Sequence, residues 1–179
     1  MTPRMRIPLL ALCTLLAAAR APAELLENPG FETGSLAGWA TFGYGWRIVP
    51  EDEARTGSHA LAVDNHLELD EGTWHGISQD VPITPRQTYT ASAYVAANNV
   101  RHSSAFLEIQ WLDEKGQLLH QVRSPAINRN QSYRLVQLRK SRAPVGAATA
   151  SIRGIFFMPG TPRNDKGVFT FDDFSFKAE

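Results

Sequence analysis

The sequence predicts an all-β fold, a two-sheet antiparallel β-sandwich, and three observations carry that expectation. Short runs rich in β-branched and aromatic residues recur from residue 46 to residue 176. Several of them alternate apolar and polar residues, the period of a half-buried strand. Gly and Pro punctuate the intervals, while the spacing of an amphipathic helix is scarce.

The runs follow in order. Residues 46–49, 60–63 and 76–81 are the first three expected strands. Residues 88–95 read Thr-Tyr-Thr-Ala-Ser-Ala-Tyr-Val, dense in β-formers. Residues 105–112 alternate and end in Asp113-Glu114-Lys115-Gly116, a hairpin turn into 117–119. Residues 133–138, 150–157 and 168–176 complete the set. Pro82, Pro85, Pro125, Pro144 and Pro159 fall between the runs, where a missing backbone donor does little harm. Many short strands with Gly/Pro turns suit a sandwich or barrel. No internal repeat or linker interrupts them, so residues 24–179 are expected to form one domain.

Residues 1–23 read differently. Arg4 and Arg6 precede an apolar run from Ile7 to Ala19, and Ala21-Pro22-Ala23 ends it with small residues. A charged start, a short apolar core and an A-x-A end define a secretory signal peptide, with cleavage expected after Ala23. The run is too short for a permanent bilayer anchor, and no second apolar span follows. The expected location is secreted or periplasmic. Cleavage removes Cys13, the only cysteine, so no disulfide is expected. It also takes Arg4, Arg6 and Arg20 from a chain of 18 basic and 18 acidic residues, leaving a formal charge of −3. A mildly acidic domain without a basic block is a poor partner for nucleic acid or an anionic membrane surface.

The opening block after the expected cut, from Asn28-Pro29-Gly30-Phe31-Glu32-Thr33-Gly34 to Gly38-Trp39, closely resembles the start of carbohydrate-binding modules of the family 4/9/22 type. Further matching blocks follow in that family's order: Arg55-Thr56-Gly57-Ser58, Gly76-Ile77-Ser78-Gln79-Asp80-Val81, residues 84–95, Trp111-Leu112-Asp113 with Gly116, residues 143–147, and Phe171-Asp172-Asp173-Phe174-Ser175-Phe176. The resemblance implies a galactose-binding-domain-like jelly roll in which the first and last strands lie close together. It also implies a structural Ca²⁺ between the opening block, the Thr56-Gly57-Ser58 turn and the last strand. Glu32 and Asp172 are each flanked by aromatic residues, an expensive place for a carboxylate without a partner. They are the side-chain ligands the resemblance points to, with backbone carbonyls near Asn28, Thr56 and Ser58 as weaker candidates. Asp173 is expected on the opposite face, because strand side chains alternate. The alternative is that these acids sit at the surface or pair with Arg55.

A sugar site needs flat aromatic rings beside planar polar groups. Tyr44 and Trp46 lie in a glycine-flanked loop, and Trp74 stands beside Gly72 and His75. Glu108 and Gln110 share a strand face opposite Ile109 and Trp111. The candidate set from alternation and chemistry is Trp46, Trp74, Tyr94, Glu108, Gln110 and Arg153. Trp39, Tyr89 and Trp111 fit the core better, while Trp46 and Trp74 suit either role and Glu108 with Gln110 could be an ordinary solvated face.

The expected function is non-catalytic binding of a polysaccharide or glycan by an exported single-domain protein. Alternatives are an accessory or subunit of a glycoside hydrolase, partnered with a separate carbohydrate-active enzyme, or an envelope structural or adhesive protein that binds a protein. No hydrolase, zinc-protease, dithiol or phosphate-loop motif occurs. Glycosidases need two carboxylates across a cleft. Asp70-Glu71, Asp113-Glu114 and Asp172-Asp173 are adjacent pairs, and adjacent strand residues face opposite ways.

Overall fold

Each run becomes a strand with one apolar face, and two such sheets bury those faces against each other. The computed structural model describes residues 22–64, 74–158 and 167–179. Most of the expected signal peptide, Asp70-Glu71, Gly72 and Pro159 lie outside the described residues. The strands are β1 (Ala40–Phe42), β2 (Trp46–Pro50), β3 (His59–Asp64), β4 (Trp74–Pro82), β5 (Thr88–Asn98), β6 (Ser104–Leu112), β7 (Leu118–Arg123), β8 (Gln131–Arg142), β9 (Thr149–Phe157) and β10 (Val168–Ala178). One sheet has the order β1-β4-β9-β6-β7, the other β2-β3-β10-β5-β8, and every pairing is antiparallel. Among the described residues no helix is long and apolar enough to cross a membrane.

The core lies between the sheets. The first sheet contributes Ile77, Leu107, Ile109, Trp111, Ile152 and Phe156, and the second Leu61, Val63, Tyr89, Phe169, Phe171, Phe174 and Phe176. In β5, alternation sends Tyr89, Ala91, Ala93 and Val95 inward, and the small alanines leave room for the β10 phenylalanines. Trp39, Tyr89 and Trp111 are buried, as their surroundings in the sequence suggest.

The opening block packs on β10. Phe31, Trp39 and Phe174 form an aromatic cluster with ring centroids 4.9–6.0 Å apart. The amide of Phe174 donates to the Pro29 carbonyl (3.0 Å) and that of Leu25 to the Phe176 carbonyl (3.0 Å). The N-terminal segment and the last strand therefore lie side by side. β1 is not among the expected runs, and the other strands extend past their expected bounds, most of all β5, β7 and β8. β1 carries only three residues, too few for a readable period. β7 runs on to Arg123, where the sequence pattern stops at residue 119.

One expectation about β10 is corrected. Asp173 does not take the face opposite Asp172. Its φ is 47°, and the register with β5 slips between Asp172 and Ser175. This bulge breaks the alternation, so both carboxylates reach the same loop: Asp172 accepts from the amides of Arg55 and Thr56, and Asp173 from the Thr56 hydroxyl.

Candidate functional site

The outer face of the first sheet carries side chains that alternation points away from the core. Register places them in rows across the strands. One row joins Ser78 of β4, Arg153 of β9, Glu108 of β6 and Arg123 of β7. The next, one pleat along, joins Phe42, Gly76, Ile155 and Phe106. On the other side lie Ser151, Gln110 and Gln121. These rows border a groove of about 260 Å³ lined by Phe42, Trp74, Glu108, Gln110, Arg123, Arg153 and Ile155.

Glu108 is the centre of this groove. It faces outward, yet it is only 1% exposed. Its Oε2 accepts from Arg123 Nε (2.5 Å), and its Oε1 from Arg153 Nη1 (3.1 Å) and Gln110 Nε2 (2.9 Å). A carboxylate removed from water is tolerable when charged donors satisfy both oxygens, and here two guanidinium groups and an amide do so. The arginines are held in turn by aromatic faces. Arg123 lies 5.2 Å from the ring centres of both Trp74 and Phe106, and Arg153 lies 4.7 Å from that of Phe42.

The aromatic wall has its own scaffold. Trp74 packs on Phe157 with centroids 4.2 Å apart and meets Phe106 edge-on at 6.0 Å. It keeps 44% of its surface exposed. Phe42 lies directly over Gly76: a Cβ there would come within 2.3 Å of Phe42 Cζ. Glycine at 76 thus admits the ring onto the sheet.

Trp74, Glu108, Gln110 and Arg153 are brought together. Trp46 and Tyr94 are not. Trp46 is partly buried, packed against the core near Phe171, with its Nε1 donating to the Phe42 carbonyl (3.3 Å). Tyr94 is on the other sheet, and the Arg55 guanidinium covers its ring at 3.4 Å. Alternation tells which side of a strand a residue takes but not which sheet the strand joins. Arg123 and Phe42 were missed, although they complete the groove. The hairpin alone, with Leu118 opposite Leu112, would set Val122 opposite Glu108. A bulge between Trp111 and Leu112 shifts the register by one residue and brings Arg123 there, which no sequence pattern marks.

The acidic residues at the second sheet also converge. Asp172 is fully buried, and its Oδ2 accepts from the amides of Arg55 (2.9 Å) and Thr56 (3.2 Å). Burial pushes its carboxyl up to about 6, because the opposing amide bonds do not offset the lost hydration. Asp173 pairs with the Arg55 guanidinium (2.6 Å). Glu32 accepts from the amides of Ser58 (2.8 Å) and His59 (3.4 Å) and lies against Gly57, where φ is +68° and a Cβ would come within 2.3 Å of its Oε1. Around Gly30, the carboxylate oxygens of Asp172 and Asp173 and the Glu32 stem stand 3.6–3.7 Å from where a side chain would begin. The oxygens here come from Asp172 and Asp173, the donor type of a hard cation, while the Glu32 carboxylate lies beside Gly57. Asn28 is less suited: its side chain bonds within its own loop, and its carbonyl accepts from Trp39 Nε1 (3.1 Å). The Thr56 hydroxyl is given to Asp173 (2.8 Å). Among the described residues no three His, Cys, Asp or Glu side chains form a metal-binding group.

The chain belongs to the carbohydrate binding domain family whose model, of the 4/9 type, matches residues 23–131. Its fold is similar to that of TmCBM61, solved in complex with β-1,4-galactotriose, at 20% identity over 88% of this chain and 99% of that one (TM-score 0.64). It is also similar to the CBM22-1 xylan-binding domain of Paenibacillus barcinonensis Xyn10C, at 18% identity over 90% and 97% of the two chains (TM-score 0.62). A third similar structure is the CBM22-1–GH10 portion of Clostridium thermocellum endo-1,4-β-D-xylanase 10B with xylohexaose, at 16% identity over 89% of this chain and 29% of that one (TM-score 0.64). No curated protein matches the chain in sequence. The fold is thus the expected jelly-roll sandwich, and family and fold together support carbohydrate binding.

Proposed function

We propose that this protein is an exported, non-catalytic carbohydrate-binding domain that holds a polysaccharide or glycan chain in the groove on the outer face of the β1-β4-β9-β6-β7 sheet. The observation that carries this reading is Glu108, buried on an outward face and fixing Arg123, Arg153 and Gln110 beside the exposed ring of Trp74. A solvated strand face has no use for a buried carboxylate. A sugar site does, because it needs planar polar groups locked in place next to an aromatic platform. Trp74 and Phe42 would meet the C–H faces of sugar rings, while Gln110 and the guanidinium groups would bond hydroxyls. The non-catalytic part rests on the groove's described lining, which offers Glu108 as its single carboxylate, with both oxygens already engaged. Glycoside hydrolysis uses two.

The test is affinity electrophoresis against a panel of soluble polysaccharides. Wild type should be retarded by at least one, and Trp74→Ala and Gln110→Ala should run as in polymer-free gels. Undiminished retardation of both variants would remove the groove as the site. Sequencing the N-terminus of protein recovered from outside the cytoplasm tests export, with Glu24 as the expected first residue.

Glu32 and Asp172 are our candidates for a structural Ca²⁺, supported by their oxygen donor type and by the nearness of both side chains to Gly30, although only Asp172 turns a carboxylate oxygen towards it. Action beside a separate carbohydrate-active enzyme is the second reading, favoured by the xylanase relative in which a similar module accompanies a GH10 module. Co-purification with a polysaccharide-degrading activity from the native source would support it.

A further inference from the structure

We infer that the groove selects glycans bearing carboxylate groups, the uronic acids, over neutral chains of the same backbone. This rests on the carbohydrate-binding reading of the groove and narrows its ligand class. The lining holds two guanidinium groups and one carboxylate, a surplus of one positive charge in a chain whose basic and acidic residues balance at 18 each. Asp80 is the one charged residue on the outer face of β4. It lies in the Ser151 row and is not part of the lining.

What the groove offers a ligand also matters. Glu108 is 1% exposed and has both oxygens occupied, so it presents almost no acceptor to the groove. It engages Arg123 through Nε and Arg153 through one Nη only. A guanidinium has five N–H donors in a planar fork. The terminal nitrogens of Arg123 and the second Nη of Arg153 make no bond to Glu108. The Arg123 side chain is 44% exposed and the Arg153 side chain 20%. The groove is therefore rich in charged donors whose planes are set by Glu108 and by the Trp74 and Phe42 rings. Guanidinium forks match carboxylates bidentately, and two forks about one pocket suit an acidic sugar flanked by rings that stack on aromatic walls.

The experiment uses full-length mature protein and two polymers, glucuronoxylan and polygalacturonate. Each is paired with its carboxyl-reduced form, which keeps the backbone and removes the charge. Neutral xylan, galactan and dextran sulfate complete the set. Isothermal titration should show at least one uronate polymer bound roughly tenfold or more tightly than its reduced partner, consistent with a charge-assisted contact. Arg123→Gln should abolish most of that preference, and Arg123→Lys, which keeps the charge without the fork, should restore only part. Glu108 keeps Arg153 and Gln110 in both variants, and circular dichroism checks their fold. Equal binding of charged and reduced forms overturns the inference while leaving sugar binding intact, as does preference for a neutral chain. Equal binding of dextran sulfate and the uronates shows a general polyanion effect and also overturns it. Binding to none of the polymers overturns the sugar-binding reading itself.

Discussion

The outer faces of the two sheets carry similar chemistry and put it to opposite ends. On the first sheet, Trp74 and Phe42 stand beside Arg123 and Arg153, and the groove between them is open to solvent. On the second, Tyr94 also has an arginine partner, but Arg55 lies flat on its ring at 3.4 Å. The guanidinium of Arg55 is anchored by Asp173, and the loop that carries it is tied down by the Tyr133 hydroxyl, which donates to the Glu53 carbonyl (2.7 Å). The chain itself occupies the place where a sugar ring would stack. Aromatic and charged residues on a strand face thus do not define a site. What separates the faces is whether the chain's own groups saturate the aromatic surface.

The largest effect should follow from breaking the centre of the open face. Glu108→Ala removes the acceptor of three donors and leaves two guanidinium groups without their common partner. Stability should fall by roughly 2–4 kcal/mol, read from urea denaturation. Glycan affinity should fall at least tenfold, because both arginines then lose their carboxylate anchor and keep only the aromatic contacts. An equally stable variant with wild-type affinity would show that the groove is only a solvated face.

Next in size is the acidic cluster under the covered face. In metal-free protein, burial raises the Asp172 carboxyl from 3.8 to about 6. The folded state then binds this proton more tightly than the unfolded chain does. The resulting penalty is absent below about pH 3.8, grows as pH rises towards 6 and is complete above it. It amounts to something on the order of 3 kcal/mol. In chelator, this group's contribution to stability should therefore fall between pH 4 and pH 6.5. Calcium should remove that fall, because a bound cation favours the carboxylate and stabilises only the folded state. Identical denaturation curves with and without calcium at pH 7 would dismiss the metal.

The same contrast explains what could be read from the sequence. The inward faces were legible because they repeat with period two: Tyr89, Ala91, Ala93 and Val95 in β5, and Leu107, Ile109 and Trp111 in β6. Half of the groove followed from this, since Glu108 and Gln110 must then point outward. The rest depends on relations between strands. Tyr94 and Glu108 both sit on outward faces, and only the sheet order sets them on opposite sides of the molecule. Arg123 was hidden because β7 is an exposed edge strand whose adjacent Leu118 and Leu119 give no alternation. The Asp172–Asp173 bulge needs a left-handed aspartate, which no local pattern announces.

The aromatic platforms offer a sharper version of the comparison. Trp74→Ala removes a ring that is 44% exposed. Stability should change by less than about 1 kcal/mol, because much of the side chain already meets water. Glycan affinity should drop about thirtyfold, the equivalent of roughly 2 kcal/mol for an aromatic anchor.

The smallest effect is expected from uncovering the second face. Arg55→Ala frees the Tyr94 ring but leaves the Arg55 amide in place to bond Asp172. Asp173 keeps the Thr56 hydroxyl as a partner. The melting temperature should therefore barely move. Affinity for the best glycan should stay within about twofold of wild type, since surface changes away from a site are close to neutral. The strict form of the comparison combines Arg55→Ala with Trp74→Ala. If the open groove alone binds sugar, the double variant should match Trp74→Ala. If uncovering Tyr94 restores binding, then the covered face is a second site held shut by its own arginine, and the line between the two faces is drawn by Arg55 rather than by the groove.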